Sequence, residues 1–171
     1  RKINLPSRVA RISGTKIRNK IIRTKLIIWL TGQSGSGKTT IANILKQKID
    51  GIVLDGNEMR KTISPSLGFS KADREEHNLR VARLAKVLSR EKPVIVAVIA
   101  PFESIRRKID EIAKPIWVYV ERNIEVTQER PYEIPKRYNV KVNSDKQTPE
   151  EQTELILKYL KRKYKKLLNH P

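Results

Sequence analysis

Cysteine is absent from this chain of 171 residues, which removes a disulfide framework, a thiolate zinc site and a thiol nucleophile together. A reducing, cytoplasmic setting is compatible with that absence and is the expected location. No apolar run reaches the eighteen or so residues of a membrane-spanning helix, so no membrane association is expected. The N-terminus carries charge without the apolar core of a secretory signal. Acids are missing from whole segments. Residues 1–49 hold twelve lysines and arginines and no Asp or Glu, and residues 155–171 hold six and again no acid. Aromatic residues make up only 5% of the chain, so the basic ends are sparse in the stacking rings that nucleic-acid surfaces interleave with charge. Methionine occurs once, at Met59, and the chain opens on Arg1, so a fragment or a processed product is expected.

What is present describes a globular protein, with 38% hydrophobic and 32% charged residues. The length suits one α/β domain with a real core. The net charge of +19 comes almost wholly from the two ends, because residues 50–154 are nearly neutral. A polyanion-binding surface would explain it. A solvated basic face, or a junction made for an acidic neighbour, also explains it and is the preferred reading, because no nucleic-acid motif accompanies the charge.

Short apolar runs alternate with helical patterns. Leu26–Leu30, Ile52–Leu54, Val94–Ile99 and Ile116–Val120 read as strands buried on both faces of a parallel sheet. Helices are predicted after Lys38, over Ser70–Arg90 with Leu79, Leu84 and Leu88 as its apolar stripe, over Ser104–Ala113, over Ile124–Arg130 and over Pro149–Leu168. Ser70 is placed to cap its helix, and Pro149 suits a first turn after Thr148. The alternation implies right-handed crossovers and a parallel β-sheet flanked by helices on both faces.

Gly32-Gln33-Ser34-Gly35-Ser36-Gly37-Lys38-Thr39 satisfies G-x-x-x-x-G-K-[ST] and lies between a strand and a helix. Such a loop turns its amides onto phosphate oxygens, and glycine is needed where φ is positive or a Cβ would collide. These eight residues and Thr40 are the candidate binders of a nucleoside triphosphate, ATP or GTP. Lys38 reaches the β- and γ-phosphates, and the Thr39 hydroxyl can join a Mg²⁺ shell. Asp55 ends the second strand, so its carboxylate is expected at the carboxyl edge of the sheet beside those phosphates. There it can accept the proton of an attacking hydroxyl, cap the next helix, or contact a Mg²⁺-bound water.

These blocks together carry a resemblance. The run Ile28–Gly32 into the loop, Leu54-Asp55-Gly56-Asn57, Leu67-Gly68-Phe69-Ser70 with Asp73-Arg74-Glu75-Glu76, and Ile99-Ala100-Pro101-Phe102 resemble adenylylsulfate (APS) kinases from about Lys25 to Leu160. The resemblance implies a P-loop fold and transfer of the ATP γ-phosphate to the 3′-hydroxyl of APS in sulfate assimilation. It implies Asp55 as general base, with Lys38 and Arg106 on the transferring phosphate. It implies Arg60 and Arg74 on the acceptor's anionic groups, Phe69 near its adenine, and Phe102 on the same pocket; His77, three residues after Arg74 on one helix, can hydrogen-bond the acceptor or be a surface or partly packed histidine. It also implies a homo-oligomer, with a dimer expected.

Several positions depart from the pattern. Asn57 stands where the family has a second acid, His77 where it has Asn, and Ala100 where some relatives carry Ser, which excludes a phosphoserine intermediate there. Arg130 runs directly into Pro131-Tyr132-Glu133, whereas the family inserts a basic lid before that segment. Loss of the lid predicts weaker commitment to substrate, a different acceptor, or a lid supplied by another chain.

Arg11–Arg18, with Ser13, Thr15 and Arg18, resembles the motif near the end of nucleotidyltransferase domains, ATP sulfurylases among them. The division expected is residues 1–24 as a linker or remnant of such a domain, fused or bound, and residues 25–171 as the P-loop domain. Besides the APS kinase, two other readings stay open: a regulatory domain of a sulfurylase that binds nucleotide without turnover, and a kinase of another small alcohol, nucleotide or nucleic acid.

Overall fold

The computed structural model describes residues 25–168, with side chains as far as Tyr164. The expectations for residues 1–24 lie outside the described residues.

The apolar runs form strands β1 (Ile27–Thr31), β2 (Ile52–Asp55), β3 (Val94–Ala97) and β4 (Ile116–Glu121), joined by an edge strand β5 (Val140–Asn143). All five pair in parallel in the order β2-β3-β1-β4-β5. Because side chains alternate along a strand, β1 feeds two cores. Leu26, Ile28 and Leu30 pack with Ile41 and Leu45 of α1 (Lys38–Ile49) and with Ile156 and Leu160 of α5 (Pro149–Leu168). Ile27 and Trp29 pack on the other face with Met59 of α2 (Gly56–Thr62), Val81 and Ala85 of α3 (Lys71–Leu88), and Ile105 and Ile109 of α4 (Glu103–Ala113). Trp29 is fully buried, its indole N–H donating to the Val98 carbonyl at 3.0 Å and its ring 5.5 Å from that of Trp117.

Local chemistry sets the helix starts. The Ser70 hydroxyl accepts the Asp73 amide at 3.1 Å, as its position predicts. Thr148 and Glu151 exchange a capping box ahead of α5.

Three expectations are corrected. Residues 124–130 form no helix. The stretch is under two turns long, carries β-branched Ile124, Val126 and Thr127, and meets Pro131. Two of its carbonyls are also taken from outside, Ile124 by the Gln33 amide at 2.8 Å and Glu129 by Arg74 at 3.0 Å. Strand β5 and helix α2 went unpredicted: each is short, and β5 has only two apolar residues. The buried stripe of α3 runs through His77, Asn78, Val81, Ala82 and Ala85, while Leu79, Leu84 and Leu88 are only partly covered.

Candidate active site

The site lies beyond the carboxyl ends of β1, β2 and β3. Thr31 hands β1 directly to the phosphate loop. A Cβ on Gly32 would sit 2.4 Å from the Val120 carbonyl oxygen, so glycine lets the loop pass against β4. Gly35 and Gly37 adopt φ of 82° and 97°, the left-handed region where glycine carries no Cβ penalty. Ser36 is buried, and its carbonyl accepts the Ser144 hydroxyl at 2.7 Å. Ser34, Gly35, Lys38 and Thr39 line the cleft, while Thr40 lies exposed in the first turn of α1.

Lys38 folds back on its loop, its ammonium donating to the Gly32 carbonyl at 2.9 Å and the Gln33 carbonyl at 2.6 Å. Burial lowers its pKa to about 8 against a smaller opposing pull from Asp55. The Thr39 hydroxyl donates to Asp55 Oδ2 at 2.7 Å. Asp55 Oδ1 accepts the amides of Asn57 at 3.0 Å and Glu58 at 3.4 Å. Asp55 is therefore a helix cap through one oxygen and a partner of the phosphate-loop threonine through the other. Of the roles left open by the sequence, the structure shows the helix cap, and it falls on Oδ1 alone.

Across the cleft, Phe69 is 70% exposed with two guanidinium groups against its ring, Arg60 at 4.9 Å and Arg74 at 5.4 Å from the centroid. Arg60 donates to the Gly68 carbonyl at 2.6 Å, and Arg74 to the carbonyls of Phe69 at 2.8 Å and Glu129 at 3.0 Å. Backbone bonds thus aim both cations at the same opening. His77 lines the same cleft and is buried, its Nδ1 3.0 Å from the Ser64 hydroxyl. Burial, with Arg60 and Arg80 nearby, pushes its pKa down to about 4, so the imidazole is neutral at physiological pH. The cleft continues past Ser34, Phe69 and Arg74 to a wall of residues 128–132.

The adenylylsulphate kinase family model matches residues 24–142, more than two thirds of the chain. The chain belongs to that family. A probable adenylyl-sulfate kinase of Pyrococcus abyssi is 38% identical over 163 residues, covering 78% of this chain and 94% of that protein. Since 78% of 171 residues is about 133, roughly 30 of the 163 aligned positions have no counterpart here, in keeping with the direct junction of Arg130 to Pro131. The APS kinase of Mycobacterium tuberculosis, solved with AMPPNP and APS, superposes with a TM-score of 0.72 at 26% identity, covering 80% of this chain and 97% of that one. A hexameric APS kinase from Thiobacillus denitrificans gives a TM-score of 0.69 at 25% identity over 81% of this chain and 29% of that one.

Within this kinase fold, Lys38, Thr39, Asp55, Arg60, Phe69, Arg74 and His77 all line one cleft. Arg106 does not. It is 3% exposed, and four of its five N–H groups are engaged: Nε and Nη2 on Glu103 Oε2 at 3.1 and 2.9 Å, Nη1 on the Ala100 carbonyl at 2.8 Å, and Nη2 also on the Glu133 carbonyl at 2.9 Å. Arg106 is thus absent from the cleft lining, its guanidinium committed to these four bonds and lying 5.9 Å from the ring of Tyr132. Phe102 begins α4 under the Lys71 ammonium, 5.3 Å from its ring, beside the lining residue Pro101 rather than on the lining.

Asn78 was missed by the sequence reading. It is 2% exposed and lines the cleft; its side-chain amide donates to the Arg74 carbonyl at 2.8 Å, and its Oδ1 has no partner among the described residues. Tyr132 was missed too. The one Thr31 hydroxyl proton goes to the Ile99 carbonyl at 2.6 Å, so the Tyr132 hydroxyl, 3.0 Å away, is the donor to Thr31. The only sequence signal for either was adjacency to a motif.

Proposed function

We propose that this chain is an ATP-dependent adenylylsulfate kinase, transferring the γ-phosphoryl group of ATP to the 3′-hydroxyl of APS. The observation that carries the reading is one continuous cleft that joins a complete phosphate loop and Asp55 to the Arg60–Phe69–Arg74 clamp. The loop amides and the N-terminus of α1 hold the phosphates, and Lys38 leaves its carbonyl partners to meet their β- and γ-oxygens. Thr39 supplies a hard hydroxyl oxygen beside the phosphate loop, the right chemistry for Mg²⁺, which takes few protein ligands when phosphates and waters complete its shell. Bound there, Mg²⁺ would neutralise charge developing on the phosphates.

The acceptor's anionic groups go to Arg60 and Arg74, and its flat ring to Phe69. The acceptor oxygen then attacks the γ-phosphorus in line, a new P–O bond forms, and the bond to the β-phosphate oxygen breaks to release ADP. Asp55 Oδ2 takes the hydroxyl proton, since Oδ1 is held by two amides. Ala100 offers no hydroxyl, so no phosphoserine intermediate intervenes.

The chain is read as cytoplasmic, supported by the lack of cysteine and by the lack, among described residues, of a helix able to cross a membrane. A homo-oligomer is supported by the hexameric relative. The test is incubation with ATP, Mg²⁺ and APS, following 3′-phospho-APS and ADP against a Lys38→Ala control. Lys38-dependent phospho-APS supports the reading. ADP without phospho-APS redirects it to another alcohol, and nucleotide binding without turnover redirects it to a regulatory domain.

A further inference from the structure

Arg106 is a buried cation that no step of the transfer uses. A guanidinium taken out of water must be paired and hydrogen-bonded, and its planar fork suits several acceptors held at fixed angles. The groups it joins are informative. Ala100 has φ of 46°, a conformation that costs a residue with a side chain and persists only where surroundings over-determine it. Its neighbours Ile99 and Pro101 line the cleft. Glu133 follows Pro131 and Tyr132, which line the cleft from the opposite chain segment. Two backbone stretches distant in sequence are thus pinned by one side chain.

The pinning is reinforced around it. The Glu133 amide donates to the Pro101 carbonyl at 2.8 Å, and the Glu133 carboxylate accepts the Glu103 amide at 2.8 Å. That bond completes the start of α4, whose own N-cap residue Phe102 makes no side-chain cap. The Tyr132 hydroxyl is tied to Thr31 at the foot of the phosphate loop. No helix or strand holds residues 122–139, so these bonds supply what a regular element would have supplied.

We propose that Arg106 is a positioning residue for the acceptor: by clasping the Ala100 and Glu133 carbonyls it keeps residues 128–133 as a fixed wall, and the acceptor enters a preformed slot between that wall and Phe69. The proposal rests on the kinase reading above. It makes acceptor recognition depend on a side chain that never touches the acceptor, and it assigns Tyr132 as the second fastener of the same wall.

The test compares Arg106→Met, Arg106→Lys and Tyr132→Phe with the unmodified chain. The KM for APS and for ATP is measured in each, and hydrogen exchange is followed in peptides covering 128–134 and 32–39. Arg106→Met is expected to raise the KM for APS on the order of tenfold or more, the effect of a misplaced substrate wall, with the KM for ATP within about twofold. Arg106→Lys should recover part of the loss. Exchange should rise in 128–134 and not in 32–39. Should Arg106→Met fail to fold, Tyr132→Phe, which removes a single hydroxyl, should shift the same two readouts the same way by a smaller factor. The proposal is overturned if APS and ATP KM values rise together, if the KM for APS is unmoved, or if 128–134 exchanges alike in all variants. An unmodified chain that never phosphorylates APS would sink the kinase reading instead, and the exchange comparison would still decide whether Arg106 holds the wall.

Discussion

Two segments border the same cleft and are held in opposite ways. The phosphate loop, residues 32–39, takes its shape from its own backbone: positive φ at Gly35 and Gly37, a close approach at Gly32, and a strand and helix at either end. The strap, residues 122–134, has no regular structure and borrows its shape from side chains far off in sequence, namely Gln33, Arg74, Arg106 and Thr31. A self-shaped segment announces itself in the sequence and tolerates little change within its motif. A borrowed shape is invisible locally and is broken from a distance. That difference divides the cleft, with the phosphate-loop side built into the fold's periodic elements and the opposite side assembled from tertiary contacts.

The contrast is sharpest for chemistry. Asp55→Asn should lower kcat by on the order of 10²–10⁴, the usual worth of a proton acceptor, with the fold intact by circular dichroism because Asn still caps α2. Lys38→Ala should lower it by on the order of 10²–10³ through loss of charge stabilisation in the transition state, again without a large shift in Tm. A retained rate in either variant would remove the loop and β2 edge as the centre of the reaction.

The acceptor side is tested next through pH. His77 has its pKa lowered in the fold to about 4, so between roughly pH 4 and 6.5 the unfolded chain binds the extra proton and the folded one does not. Stability should therefore rise with pH across that window, by on the order of 3 kcal/mol for this group, and level off above it. Urea titrations of the unmodified chain and His77→Gln check this, the variant showing the flatter slope.

Smaller again is the cost of loosening the strap. Thr31→Val keeps the shape of the side chain but leaves the Ile99 carbonyl and the Tyr132 hydroxyl short of a partner, at a cost of about 1–3 kcal/mol. Denaturant midpoints would read it. An unchanged midpoint would mean that water replaces Thr31 without loss.

A last test, of similar size, returns to the loop. Lys38, with a pKa of about 8 before nucleotide binds, must be protonated to hold phosphate. Nucleotide affinity should fall as pH rises above 8, approaching about tenfold for each pH step beyond it. Calorimetry in two buffers should show proton uptake there, and an affinity flat to pH 10 would contradict the assigned burial.

Legibility in the sequence followed the same division. The four apolar runs became strands because continuous hydrophobicity suits a sheet covered on both faces, and Ser70 and Thr148 marked helix starts by their local hydrogen bonds. Phe69, Arg60 and Arg74 were legible only through resemblance, since nothing in their spacing says that two cations will meet one exposed ring. Arg106 stands off the cleft lining, which its motif position could not reveal, since a motif does not show which way a guanidinium turns. Residues 124–130 were read as a helix because local pattern cannot show that carbonyls will be claimed from outside. Strand β5 escaped because a short edge strand is stabilised by its neighbour, β4, more than by its own composition.

By itself the sequence determined the parallel α/β sheet and the phosphate loop with its lysine, threonine and facing aspartate, because these depend on short-range periodicity, glycine geometry and strand ends. Only the tertiary structure decided that Asp55 divides its oxygens between a helix cap and Thr39. It alone buried His77 near Arg60 and Arg80, and set Arg106 on the carbonyls of Ala100 and Glu133. Those outcomes depend on which groups of distant segments share a desolvated space, and burial, pairing and hydrogen-bond direction exist only once the chain has closed on itself.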